Sequence, residues 1–194
     1  MARPREITDE RLLEAAASSI SRLGPGFTLA DVAAQAQVSV GTVAQRFGSK
    51  HGLLAAMTRS AIDGMRSGIR ESVKGVEPAH AAVHALLVAY APLDDAGTAA
   101  NNLAQLAVDL ADSELRGLMA EFYAVMEAEI ASLIDAAALP LAPRPATAAR
   151  ILTAIADGTA IHWSARPQGS LRERLQDDLT TVVDGWRPRE RQEA

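Results

Sequence analysis

A chain of 194 residues buries roughly 70% of its unfolded surface, enough for one or two domains with a substantial core. Hydrophobic residues make up 48% and aromatics only 4%; the apolar mass is largely Ala and Leu, with no period-2 run to read as a strand, so an all-α fold is expected, while the absence of cysteine excludes disulfides and thiolate chemistry. The net charge of −5 is uneven, since residues 1–50 carry six basic and five acidic groups and leave −6 for the remainder: a small, slightly basic segment on an acidic body fits this, a coat of positive charge does not.

Arg3 and Arg5 precede the first helix and form an arm able to reach a flanking minor groove. Thr8 is placed to cap a helix with Asp9 and Glu10 in its first turn and Leu12, Leu13, Ala16, Ile20 and Leu23 on its core face. Gly24-Pro25-Gly26 stops it. Thr28 then caps a short helix with Leu29, Val32, Ala33 and Ala36 at helical spacing; Asp31 at N3 makes a weak capping box, and Phe27 with Val32 makes a hydrophobic staple. Ser39 caps a second short helix, Val40 to about Arg46, that turns Val43 and then Phe47 inward and leaves Val40, Gly41, Ala44 and Gln45 outside. Two such helices crossing at small residues present the second to a major groove about 12 Å wide. Ser49 caps the next helix, with Lys50 at its positive end, where a phosphate is held readily.

The stretch V38-S-V-G-T-V-A-Q-R-F-G-S-K50, followed by Gly52-Leu53-Leu54, resembles the helix-turn-helix of TetR-family (tetracycline-repressor-like) transcriptional regulators, and the pattern of that domain runs from Ile7 to Leu54. Two positions depart from it. Gln37 stands where the turn commonly has Gly, which costs about 1 kcal/mol if φ must be positive. Ala44 stands where an aromatic often touches a phosphate.

From Ser49 a long helix runs through Leu53, Leu54, Met57, Ala61, Met65 and Ile69 to about Val73, loosened near Gly64 and Gly68. Pro78 opens a helix to about Ala91, ended by Pro92 and the turn residues Asp94-Asp95-Ala96-Gly97. Thr98 to Ala111 is next, then Ser113 to Ala138, striped by Leu115, Leu118, Phe122, Val125, Met126, Ile130, Leu133 and Ile134. Leu139 to Pro145 is a linker. Pro145 starts a helix through Ile151, Leu152, Ile155, Thr159, His162 and Trp163, closed at Arg166 to Gly169. Ser170 and Glu173 form a capping box for a last helix bearing Leu171, Leu175, Leu179, Val182, Val183 and Trp186, and residues 187–194 are expected to be a disordered tail.

That gives about nine helices. The resemblance implies a helix-turn-helix DNA-binding domain over 1–48 and a helical ligand-binding and dimerising domain over 49–186, the last two helices pairing across a two-fold axis. Ala154, Gly158, Ala160 and Ala165 leave room for such close contact, although an ordinary core explains them as well. The expected function is a one-component regulator, a repressor, that binds a palindromic operator as a homodimer and is released by a small apolar effector. Thr28, Thr42 and Lys50 are expected at phosphates and Val40, Gly41 and Gln45 near base edges, with Ser39 and Arg46 in the same set; Gln45 suits bidentate pairing with adenine. Family likeness also puts a cavity among the middle helices, with Met65, Tyr90, Asn102, Leu106, Phe122, Tyr123, Met126 and His162 as candidate walls.

Other chemistry is thinly supported. Glu77, His80 and His84 share a region of one helix, but with no further ligand in sight no metal or cofactor is expected. Asp157 and His162 lie five apart, off a common face and without a placed nucleophile, so no catalytic residues are assigned. No run of about 18 apolar residues suggests a membrane span and the N-terminus leads into no secretory segment, so a cytoplasmic location is expected. The competing reading is an all-α ligand carrier or protein-interaction module in which the helix pair serves packing only.

Overall fold

The computed structural model describes residues 7–188, all of whose regular structure is helical. The arm bearing Arg3 and Arg5 lies outside the described residues, as do residues 189–194 of the expected tail. The elements are α1 (Asp9–Leu23), α2 (Leu29–Ala36), α3 (Val40–Phe47), α4 (Lys50–Ser72), α5 (Pro78–Tyr90), α6 (Ala99–Ala111), α7 (Ser113–Ala137), α8 (Pro145–Ala165) and α9 (Leu171–Gly185), with 3-10 turns at Gly24–Gly26 and Ala91–Leu93. No helix among them is long and apolar enough to cross a membrane.

The chain packs as two units. The first comprises Met1–Ala61 with Gly97–Ala120, the second Ile62–Ala96 with Glu121–Ala194. In the first, Leu12, Ala16 and Ile20 of α1 meet Phe27, Val32, Ala33, Ala36, Val43, Leu53 and Leu54, and Leu115 closes the cluster from α7. Leu23, expected on the core face of α1, is exposed. The helix α6 lies on α1 and the Gly24–Gly26 turn. Asn101 Nδ2 donates to the Ser21 carbonyl at 2.9 Å, and Ser21 Oγ donates to Asn102 Oδ1 at 3.2 Å.

In the second unit α5 packs on α8 and α9, and α8 on α9. Leu86 of α5, Ile130 of α7, Leu152 and Trp163 of α8 and Leu171, Leu175 and Leu179 of α9 are fully buried. The expected capping box of α9 is half present: Ser170 Oγ accepts from the Glu173 amide at 3.3 Å. Asp94 supplies the rest. Its carboxylate accepts from Ser170 Oγ at 2.8 Å, the Leu171 amide at 2.7 Å and the Arg172 amide at 3.3 Å, so this residue, read from the sequence as part of a turn, is the remote cap of a helix 77 positions later. Burial pushes its carboxyl upward, and these hydrogen bonds outweigh that and hold it below the ordinary value.

Two further expectations change. The helix α4 passes Gly64 and Gly68 without a break. At the other end of the chain Arg187, assigned to the tail, makes ion pairs with Glu77 at 3.6 Å and Asp184 at 3.4 Å and hydrogen-bonds His80 Nε2 at 3.2 Å.

Candidate nucleic-acid interface

The helix pair is set by its caps. Thr28 Oγ1 accepts from the Asp31 amide at 3.3 Å while the Asp31 carboxylate accepts from the Thr28 amide at 2.8 Å and its hydroxyl at 2.6 Å, a complete capping box. The Thr28 hydroxyl is the first cause holding Asp31 below the ordinary carboxylate value. The turn between α2 and α3 puts Gln37 in the left-handed region, φ 57° and ψ 45°, where its amide and that of Val38 reach back to the end of α2. A side chain there is strained, and the sequence marks it by departing from Gly.

Ser39 Oγ accepts from the Thr42 amide at 3.1 Å and lies 2.9 Å from the Thr42 hydroxyl, which starts α3. Within α3, Val43 is buried completely and Phe47 partly, while Val40, Gly41 and Gln45 are exposed and Thr42 and Ala44 partly so. Val40, Gly41 and Gln45 thus share the solvent side of α3.

The two cations of the expected interface already have protein partners. Arg46 pairs with Asp9 at 2.6 Å. Lys50, expected to project its charge from the first turn of α4 toward a phosphate, turns back: Nζ donates to the Pro25 carbonyl at 2.5 Å and sits 4.3 Å above the centre of the Phe27 ring. The amine therefore joins the turn before α2 to the start of α4. Gly52 is also fixed by its neighbours, because a Cβ there would collide with the Phe47 carbonyl oxygen.

The candidate effector residues separate. Asn102 and Leu106 belong to α6 in the first unit, where Asn102 is spent on Ser21. His162 is exposed on a surface cleft of about 510 Å³ with Ala165, Arg166, Gln168 and Arg174, and so does not point into the core of its unit. Met126 is buried and Met65 partly buried in the second unit. The structure brings Tyr90 and Tyr123 together on Asp157, whose Oδ1 accepts both hydroxyls, with Phe122 edge-on to Tyr123 at 5.8 Å. Burial raises the Asp157 carboxyl, and burial beside that carboxylate pushes the Tyr123 hydroxyl to about 12 and Tyr90 higher. Residue spacing set Asp157 and His162 off a common face, and nothing in it pointed to tyrosines 67 and 34 positions away.

His80 Nδ1 lies 2.8 Å from Glu77, and with Arg187 at Nε2 both ring nitrogens have protein neighbours. Among the described residues no group of three or more His, Asp or Glu side chains is placed to hold a metal ion.

An all-helical chain whose first unit presents a short, doubly capped helix with an exposed face defines the helix-turn-helix class. Residues 12–57 match "Bacterial regulatory proteins, tetR family", and the N-terminal domain belongs to that family. Over 56 residues the chain is 48% identical to the HTH-type transcriptional regulator BetI of Burkholderia cenocepacia, a match covering 28% of this chain and 29% of that protein. The chain thus spans under a third of the length of the curated relatives it matches. Solved structures extend the likeness to the whole fold: a TetR-family transcriptional regulator from Rhodococcus sp. is 25% identical with a TM-score of 0.70, covering 91% of this chain and 100% of that one. The Thermus thermophilus FadR repressor, solved with lauroyl-CoA, is 21% identical with a TM-score of 0.59, covering 96% and 99%.

Proposed function

We propose that the protein is a sequence-specific, DNA-binding transcriptional regulator without catalytic activity, acting in the cytoplasm as a homodimeric repressor of a near-palindromic operator. DNA reading is assigned to residues 1–48, and effector binding and dimerisation to 49–186. The observation that carries this is the face of α3, which buries Val43 and leaves Val40, Gly41 and Gln45 exposed, as a helix lying in a major groove requires. Gln45 reads a base edge with Val40 and Gly41 beside it, Thr28, Thr42 and Lys50 lie along phosphates, and Ser39 and Arg46 border them. A dimer through α8 and α9 is supported by Ile151 and Ile161, both exposed, in line with the small residues Ala154, Gly158 and Ala165. Two-fold symmetry then sets the half-sites about 34–36 Å apart.

An effector in the second unit lowers operator affinity, and operator lowers effector affinity equally, a coupling of about 1–3 kcal/mol. The test is selection of bound fragments from the source organism's own DNA with the purified protein at about 0.15 M salt and no added ligand. Recovery of one inverted repeat is expected. Recovery of nothing above background moves the weight to a carrier or interaction module.

A further inference from the structure

The chain contains two tyrosines, and both donate to the same carboxylate oxygen, Oδ1 of Asp157. Three helices contribute: Tyr90 ends α5, Tyr123 lies in α7 and Asp157 in α8, all within the second unit. The other oxygen, Oδ2, accepts no hydrogen bond from the described residues, and it is not among the sealed-off side-chain atoms that lack a partner. Among the described residues no Lys, Arg or His pairs with Asp157, and its hydrogen-bond partners there are the two tyrosine hydroxyls.

One turn earlier on the same side of α8, the Thr153 hydroxyl is buried and has no partner. A threonine in a helix ordinarily bonds the carbonyl four residues back; this one does not. A carboxylate taken from water without a countercharge is unfavourable, as is a buried hydroxyl left unpaired. Asp157 Oδ2 stays open while the Thr153 hydroxyl is sealed off, so a cation bearing an N–H meets the carboxylate there and supplies both its missing donor and its missing countercharge.

We propose that the second unit binds an organic ammonium ion, a protonated primary or secondary amine, with its charged nitrogen donating to Asp157 Oδ2 beside Tyr90 and Tyr123. This rests on the reading of that unit as the effector domain and names the effector's chemical class. A quaternary nitrogen is a poorer match, because it has no N–H to give Oδ2.

The experiment is calorimetric titration of the full-length protein at neutral pH with hexylamine, dihexylamine and phenethylamine, set against hexanol, hexanoate and hexyltrimethylammonium. At least one amine is expected to bind, with the alcohol and carboxylate silent and the quaternary ion weaker. Asp157→Asn keeps the shape and both hydroxyl contacts and is expected to weaken amine binding tenfold or more; Tyr123→Phe, which keeps the ring, is expected to weaken it less. Circular dichroism melting establishes that both variants are folded. Binding of hexanol or hexanoate as tight as that of the amines, unchanged affinity in Asp157→Asn, or no binding by any amine overturns the proposal. The DNA selection reads the regulator assignment separately: an inverted repeat recovered by a protein that ignores amines removes this inference alone, and amine binding without recovered DNA removes the regulator.

Discussion

Arg46 and Asp9 lie 2.6 Å apart, tying the last turn of α3 to the first turn of α1. Both side chains are substantially exposed, so the pair contributes little stability, about 0–1 kcal/mol. Its effect falls on the interface, where Asp9 neutralises a charge that DNA otherwise attracts. Asp9→Asn is expected to leave the melting temperature nearly unchanged, tighten binding to every DNA sequence and steepen the salt dependence by about one unit of slope. Titrations at several salt concentrations check it, and an unaltered slope rejects the role given to Arg46.

Gln45 and Lys50 separate specificity from affinity. Gln45→Ala is expected to relax preference at one position per half-site, by about 1–3 kcal/mol of discrimination. Lys50→Ala weakens binding to all sequences and, because the amine also holds the Pro25 carbonyl and the Phe27 ring, lowers the melting temperature as well. Binding profiles over a randomised site distinguish the two; identical profiles for wild type and Gln45→Ala remove the base-reading assignment.

At Gln37 the left-handed backbone offers a simple gain. Gln37→Gly relieves the side-chain penalty at φ 57° and is expected to stabilise the protein by up to about 1 kcal/mol, read as a rise of about 2–4 °C in melting temperature. A fall would mean that the Gln37 side chain makes a contact worth more than the strain.

Asp94 is the opposite case. Asp94→Ala leaves the amides of Leu171 and Arg172 without their acceptor and is expected to cost about 1–2 kcal/mol. The carboxyl is held below its ordinary value in the folded chain, so its contribution is complete above that value, near 4, and fades as pH falls through the folded one. Melting curves of wild type and variant should converge in acid.

Asp157 reverses that sign. Its folded carboxyl is raised by burial, so it favours folding below about pH 4 and that advantage is lost as pH climbs through the folded value. Asp157→Asn is therefore expected to melt higher than wild type at neutral pH, the gain shrinking toward pH 4. An equal or lower melting temperature at pH 7 contradicts a carboxylate held there without a countercharge.

The head of the molecule was legible because its signals are local. Thr8, Thr28 and Ser39 cap helices through amides three residues away, a distance a sequence displays directly. Periodicity likewise picked out Leu12, Val32 and Val43 as core. What stayed hidden depends on long-range partners: Asp94 at the start of α9, Lys50 on the Pro25 carbonyl, Asn102 on Ser21, and Tyr90 with Tyr123 on Asp157. His162 shows the limit of periodicity, which identifies an apolar stripe but not whether a polar neighbour at its margin turns toward core or water.

The closure of the first core by Leu115 bears on how the protein is made. Residues 9–54 supply the caps and most of the cluster, yet the helix α6 seated on α1 starts only about 45 residues later and Leu115 and Leu118 follow about sixty residues later. During synthesis, at about 5–20 residues per second, the helix pair therefore leaves the ribosome with an apolar flank of α1 still wet for several seconds. A truncated chain ending near residue 60 would carry that exposed flank permanently, and the smallest version of the head able to fold by itself has to borrow its last wall from the middle of the sequence.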